Sequence, residues 1–592
     1  MGAHDRSGDE LLGATWNGSG TTFRVGAPGA AAVSVVYGEP EAEHALNRSE
    51  DGIWAVTVED AVPGTSYRVR VDGELYPDPA SRFQPEGVHG SSQVIDPGSY
   101  VWQNEPPSFP LDKAVIYELH VGTFTGEGTF SAARSQLEYL RDLGVNTIEL
   151  MPVHDFPGRW NWGYDPAAHF APSRAYGRPD DLKAFVDAAH ALGLKVLLDV
   201  VYNHFGPAGA YLPAIMPQVL DGTRQTEWGP ALAFEGKPGL LVRRFFLENA
   251  LMWLDEYRFD GLRLDATFAI IDNSEEHWLA QLAREVANLP GEPRWLIAED
   301  PRNMRDLLLP REEGGYGLHG VWADDFHHTV RVRLTGDDFS YFRDFHGTDE
   351  EIARTVNRNW LFEGQYSLNS RRPRGTPAAE LPAERFVYCI QNHDQTGNRP
   401  NGERLHHAVD LPAYCAATAL LLFASQTPLL FMGQEWATSA PFLYFTDHEG
   451  ELGEQVSAGR AREFADFPGQ EEVADPQEPG TFERSKLRWE ELRQEPHAAV
   501  HRYYRDLLQL RSSLPRDRGV AEATSGGVRV RRGGFELLVA FEGGATAKVA
   551  ASSTLVLCSE SDRYQPTPVP PTVAEGAIRF ARPGARIYRV DD

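Results

Sequence analysis

Eight short apolar runs recur between residues 114 and 436, each separated from the next by a helical stretch: AVIYELHV, TIELMPV, KVLLDVV, GLRLDA, WLIAED, GVWADDF, FVYCIQNHD and PLLFMGQEW. Strands that alternate with helices make βα units, and such units build a parallel sheet. Eight of them suggest a closed α/β barrel, the TIM (β/α)8 fold, in which chemistry collects at the C-terminal ends of the strands. Several runs end in acids, namely Asp199, Asp265, Glu299, Asp324 and Asp394. The stretch after the third run, from about residue 203 to 243, exceeds a simple connection and is a candidate excursion over the site.

The rhythm differs on either side. TTFRVGAP, AAVSVVYGE, GIWAVTVED and TSYRVRVDG are short alternating segments parted by Gly, Pro and Asp turns, the pattern of a small β-sandwich. PPSFP at 106–110 reads as a linker. After a helical stretch ending near residue 515, GVRVRR, FELLVAFE, STLVLC and ARIYRV return to short strands. The predicted division is an N-terminal sandwich over 1–108, the barrel with its loop excursions over 109–515 and a C-terminal β domain over 516–592.

The chain carries 85 acidic against 56 basic side chains, a formal net charge of −29. Such a balance repels phosphate backbones and anionic lipid, which argues against nucleic acid or a membrane surface as partner and leaves a neutral ligand unaffected. Cys389, Cys415 and Cys558 are too few and too scattered for a disulfide framework or a zinc site. The opening MGAHDRSGDELLGATW has no apolar signal-peptide core, and no run of about 18 apolar residues occurs, so a reduced, cytoplasmic protein is expected.

The residues 259–268, FDGLRLDATF, state the chemistry most sharply. Side chains on a strand alternate between faces, so Arg263 and Asp265 share one face while Leu262 and Leu264 share the other. An isolated buried charge is costly. Arg263 lowers that cost and favours the ionised form of Asp265, and an ionised carboxylate at the bottom of a pocket can act as a nucleophile. Glu299, in an apolar run opposite an ionised Asp, is expected to keep its proton near neutrality. One ionised and one protonated carboxyl group is the pair that glycoside hydrolysis uses. Asp394 is a third acid, with His393 beside it as a donor. Singly, an Asp at a strand end is more often a helix cap or an ion-pair partner, and Asp199, Asn203 and His204 read equally as a hydrogen-bonded turn. Four clusters in order on an eightfold pattern read as a site.

Those clusters, DVVYNH, GLRLDATF, IAED and QNHDQ, resemble in order and spacing the four signature regions of the α-amylase superfamily, glycoside hydrolase family 13. The resemblance extends over nearly the whole chain. It implies that Asp265 is the nucleophile, Glu299 the general acid/base and Asp394 the stabiliser of the transition state. It further implies that Arg263, His204 and His393 surround them, with Asp199 supporting Arg263 and Asp265, and that configuration is retained, with the two carboxyl groups about 5–5.5 Å apart. Tyr164, in DFPGRWNWGYDP, matches the family tyrosine that stacks on the sugar before the cleaved bond; Trp160 and Trp162 are further candidates for sugar stacking or for loop packing. Asn203 matches a residue that binds calcium in many α-amylases, but the remaining oxygen ligands are not evident, so neither a metal nor any other cofactor is predicted.

FPGRWNWGYDP, GVWADDFHH, CIQNHDQTGNR and FMGQEW narrow the resemblance to the maltooligosyltrehalose trehalohydrolase branch of the superfamily. That branch cuts the α-1,4 bond next to the terminal trehalose of a maltooligosyl chain. The resemblance makes Asp324, Asp325, His327, His328 and Gln395 candidates for the trehalose subsites, and implies a pathway partner, the synthase that makes the terminal linkage. Glu435, in a GQE common across the superfamily, reads as structural or peripheral. Two alternatives remain. A glycogen branching enzyme shares the sandwich and the three acids but passes the sugar to a hydroxyl, and a non-catalytic glycan-binding relative would have lost an acid.

Overall fold

The computed structural model describes residues 11–464, 473–550, 552–565, 567–574 and 576–590. All eight apolar runs become strands of one closed parallel barrel, at Ile116–Leu119, Thr147–Leu150, Lys195–Val200, Gly261–Leu264, Trp295–Glu299, Gly320–Trp322, Phe386–Tyr388 and Thr427–Phe431. The strands are three to six residues long, so each presents at most three side chains to the barrel interior. Ile116, Leu197, Ile297, Trp322, Val387 and Leu429 fill that interior as a cluster of their own. Their strand neighbours, Leu262 and Leu264 among them, pack outward into a second and larger core. The alternation read from GLRLD therefore holds, and Arg263 points inward with no exposed surface.

The N-terminal segments form two antiparallel sheets, one ordered Gly13–Trp16, Thr21–Gly26, Ile53–Val58, Asn47–Arg48 and the other centred on Val33–Tyr37 and Ser66–Val71. Phe23, Val35, Trp54, Tyr67 and Val69 form the core between them. Beyond the barrel, Val520–Thr524, Gly527–Arg532, Phe535–Ala540, Gly584–Val590 and Ser553–Cys558 make a five-stranded sheet. A three-stranded sheet, Thr546–Lys548, Ala577–Arg579 and Thr572–Ala574, accompanies it. The excursion after the third barrel strand contains a hairpin, Leu220–Thr226 with Gly229–Leu232, that reaches back over the barrel mouth. Among the described residues no helix is long and apolar enough to cross a membrane.

Candidate active site

A cleft of about 1400 Å3 opens at the C-terminal ends of the barrel strands. Asp265, Glu299 and Asp394, which lie far apart in the chain, all line it. Their exposures rise from floor to rim, with side chains 12 %, 15 % and 37 % accessible respectively.

Arg263 organises the floor from below. Its Nη1 donates to Asp199 Oδ1 and Oδ2 at 3.0 and 2.9 Å and to Asp265 Oδ1 at 2.8 Å, and its Nη2 lies 3.8 Å from Glu299 Oε2. The guanidinium rests on the Trp322 ring, 4.3 Å from its centroid, so an interior aromatic supports the cation that pairs with the acids. Arg263 and Asp199 are fully enclosed and do not reach the cleft, so they hold the site from behind rather than bind substrate. Burial pushes Asp199 up to about 6 against the pull of Arg263, and its Oδ2 accepts the Tyr164 hydroxyl at 2.6 Å.

Glu299 ends its strand beside Asp265. Burial, against the pull of Arg263, and then the charges of Asp265 and Asp394 hold its carboxyl group well above the ordinary range. The Ala266 amide donates to Glu299 Oε2 at 2.6 Å. Ala266 has φ +40°, a left-handed conformation that a non-glycine residue adopts at some cost, and that turn immediately after Asp265 aims its N–H at the neighbouring strand. Asp265 is thus paired with a cation while Glu299 is surrounded by apolar wall and like charge. The two carboxyl groups are made chemically unequal by their surroundings.

His393 and Asp394 begin a short helical turn, His393–Gly397, capped by the Asn392 side chain accepting from the Gln395 amide. Glu118, on the first strand, accepts from both the His393 amide and its Nδ1. Burial draws the imidazole down, but the charges of Asp394 and Glu118 outweigh it and push His393 up to about 9, so it is a cation at neutral pH. Its Nε2 lies 3.4 Å from Asp394 Oδ2, and the Tyr164 ring stacks on it with centroids 5.1 Å apart. His204 donates from Nε2 to the Tyr164 carbonyl at 2.9 Å; burial holds it below its usual pKa, hence neutral.

Of the candidate trehalose-subsite residues, Asp324, His328 and Gln395 line the cleft and two do not. Asp325 is fully buried and accepts from the Leu361 and Phe362 amides, Asn303 and Arg374, which makes it a brace for the loop behind the wall. His327 is enclosed, its Nδ1 3.0 Å from that of His328. Both follow Asp324 on the helix Asp325–Thr335, whose successive side chains turn about 100° apart, so adjacent residues cannot share one face. Trp162 lines the cleft, whereas Trp160 packs on Phe482 away from it, and Glu435 is buried beneath the Tyr117 and Tyr139 hydroxyls.

The sequence reading missed several residues. Trp228, at the hairpin tip, stacks on His204 with centroids 5.3 Å apart and planes 10° from parallel. Tyr341 donates to Gln395 Oε1 at 3.1 Å and lines the cleft with Arg374 and Arg460. No local pattern marks these residues. Glu118 was open to inference, since it is an acid within an apolar strand by the same alternation that singled out Arg263. So was Glu149, directly beside Glu118 in the barrel register and wholly buried. Burial, then the charges of Glu118 and Asp199, hold Glu149 well above the carboxylate range. Among the described residues, no group of three or more His, Cys, Asp or Glu is arranged to hold a metal ion.

The alpha-amylase catalytic-domain family matches residues 93–215, and carbohydrate-binding module 48, the isoamylase N-terminal domain, matches residues 11–97. The malto-oligosyltrehalose trehalohydrolase of Deinococcus radiodurans is 48 % identical over 514 residues, 85 % of this chain and 83 % of that protein. That of Arthrobacter ramosus is 42 % identical, covering 96 % and 99 %. A crystal structure of an alpha-amylase-like protein from Salmonella typhimurium superposes with a TM-score of 0.87 at 37 % identity, over 98 % of this chain and 99 % of that one. The likeness thus runs through all three β and barrel units rather than the barrel alone, and the chain belongs to the malto-oligosyltrehalose trehalohydrolase family of the α-amylase superfamily.

Proposed function

We propose that the protein hydrolyses the α-1,4 bond next to the terminal trehalose of maltooligosyltrehalose, releasing trehalose and a shortened maltooligosaccharide with retention of configuration. Asp265 attacks the anomeric carbon as the bond to the departing trehalose breaks, and Glu299 gives its proton to the leaving oxygen. Glu299, now ionised, takes a proton from water, whose oxygen displaces Asp265 and frees the sugar. Asp394 and the cationic His393 grip the sugar hydroxyls, and Tyr164 offers its ring to the apolar sugar face. Asp324, His328 and Gln395 contact the trehalose, a disaccharide without a reducing end that presents only hydroxyls and ring oxygens to its site.

The observation that carries this reading is the carboxyl pair in one cleft: Asp265 bonded to Arg263 at 2.8 Å, and Glu299, whose burial holds its carboxyl group above the ordinary range, 3.8 Å from the same guanidinium. The names of the relatives supply the substrate. A cytoplasmic location, beside a synthase that makes the terminal linkage, fits the acidic chain and its three unpaired thiols. Product analysis tests the substrate. Trehalose is expected to appear from maltotriosyltrehalose faster than any sugar appears from maltopentaose, and Asp265→Asn to silence both reactions. Equal rates on the two sugars would remove trehalose specificity. New α-1,6-linked chains would mark a transferase instead.

A further inference from the structure

The turn that carries Asp394 is held at both ends, and its second holder comes from a distant part of the chain. At the first end Glu118 receives the His393 amide and imidazole. At the other end stands Arg460, on the helix Gly450–Glu463 that follows barrel strand eight. Arg460 is 8 % exposed, its guanidinium 5.0 Å from the centroid of the Tyr444 ring. Its Nη2 donates to the Gly397 carbonyl, and its Nη1, paired with Glu463 at 2.9 Å, also lies 3.4 Å from Asn398 Oδ1. The amide nitrogen of that same Asn398 donates to Asp394 Oδ1 at 3.1 Å. One face of the turn is closed as well: a Cβ added at Gly397 would come within 2.0 Å of the Trp162 ring.

Asp394 otherwise stands well exposed, with only the His393 Nε2 3.4 Å away. A short side chain with so few contacts takes its direction from the backbone beneath it and from whichever donor reaches it. Arg460 acts on both, through the Gly397 carbonyl and through Asn398. A guanidinium suits this task because its planar fork presents N–H groups from two separate nitrogens in a fixed geometry.

We propose that Arg460 is a positioning residue for Asp394, acting through Gly397 and Asn398 to fix the carboxylate where it meets the sugar in the transition state. The proposal rests on the role given to Asp394 above. Its consequence is kinetic. An interaction that matters in the transition state more than in the bound ground state appears in kcat rather than in KM.

A double-mutant cycle tests it, with kcat and KM on maltotriosyltrehalose and thermal unfolding followed for each protein. Arg460→Ala is expected to lower kcat on the order of 10- to 100-fold while KM moves less than about threefold. In a background of Asp394→Ala, the same change is expected to lower the remaining rate by less than about twofold, because residues acting as a unit are not additive. Asn398→Ala, which removes only the exposed bridging amide, should give a smaller loss with the same non-additivity, and it decides the matter if Arg460→Ala does not fold. Losses that multiply across the cycle, or an unchanged kcat in both Arg460→Ala and Asn398→Ala, would overturn the inference. An Asp394→Ala enzyme as fast as the parent would be a different result: it would remove the role of Asp394 itself, and this proposal with it.

Discussion

Asp265 and Glu299 are both carboxylic acids within reach of one guanidinium, yet they stand at different distances from it, 2.8 and 3.8 Å. The nearer group gains a full charge-assisted hydrogen bond, and the farther one accepts mainly from a neutral backbone amide in an apolar wall. The pH dependence follows. Because the folded environment raises Glu299, its proton is kept to higher pH than on an ordinary glutamate and is lost as pH rises through that raised pKa, so the rate falls on the alkaline side of it. His393, about 9, loses its charge in the same direction. We expect Glu299→Gln to reduce kcat by about 10²- to 10⁴-fold on maltotriosyltrehalose and to remove the first alkaline limb from the pH–rate profile. The loss should be smaller on a glycosyl fluoride, whose leaving group needs no proton. A profile unchanged by the substitution would place the acid elsewhere.

At the scale of elements, short barrel strands leave the loops to build most of the cleft, and buried polar groups tie those loops to the barrel. Glu435, in the turn after strand eight, shows how. It receives hydroxyls from Tyr117 on strand one and Tyr139 on the helix Leu137–Leu143, both at 2.9 Å, and so joins three elements. Burial nonetheless pushes it up to about 7, from 4.5 in the unfolded chain. Between those values the folded protein holds a proton that the unfolded chain has released, so the contribution of this group to stability is fully present below about pH 4.5 and declines as pH rises towards 7. The size of that decline is roughly 3 kcal/mol. Glu435→Gln should remove this contribution. Denaturant unfolding at pH 5 and pH 7.5 is the measurement, and the difference between parent and variant should change by roughly that amount. A parallel pH dependence in the two proteins would show that Glu435 is charged when folded.

At the scale of the whole molecule, the N-terminal sandwich is joined to the barrel by more than a linker. The Leu12 amide donates to Glu248 at 2.8 Å, Arg82 sits over Phe170 and 3.6 Å from Glu256, and Asp187 accepts from Tyr100, Gln103 and Asn104. Ile215, from the excursion after strand three, is part of the sandwich core. Deleting residues 11–105 would expose this apolar seam and strand buried acids, and we expect the remainder to precipitate or to lose about 10 °C or more in Tm, read by calorimetry. A deletion product as stable as the parent would make the sandwich an independent appendage. The eight strands were legible in the sequence because each carries its own apolar alternation, and the acids at their ends because a charge in such a run is conspicuous. Asp325 and His327, candidates by resemblance, lie behind the cleft wall beside residues that line it, because successive side chains on a helix face different ways. By itself, then, the sequence determined the βα order, the flanking β units and the acids that end the strands, all of them set by periodicities of a few residues. Only the tertiary structure decided that Trp228 covers His204, that Glu118 holds His393 and that Arg460 meets the turn of Asp394, because such pairings arise between segments whose meeting depends on how the whole chain closes.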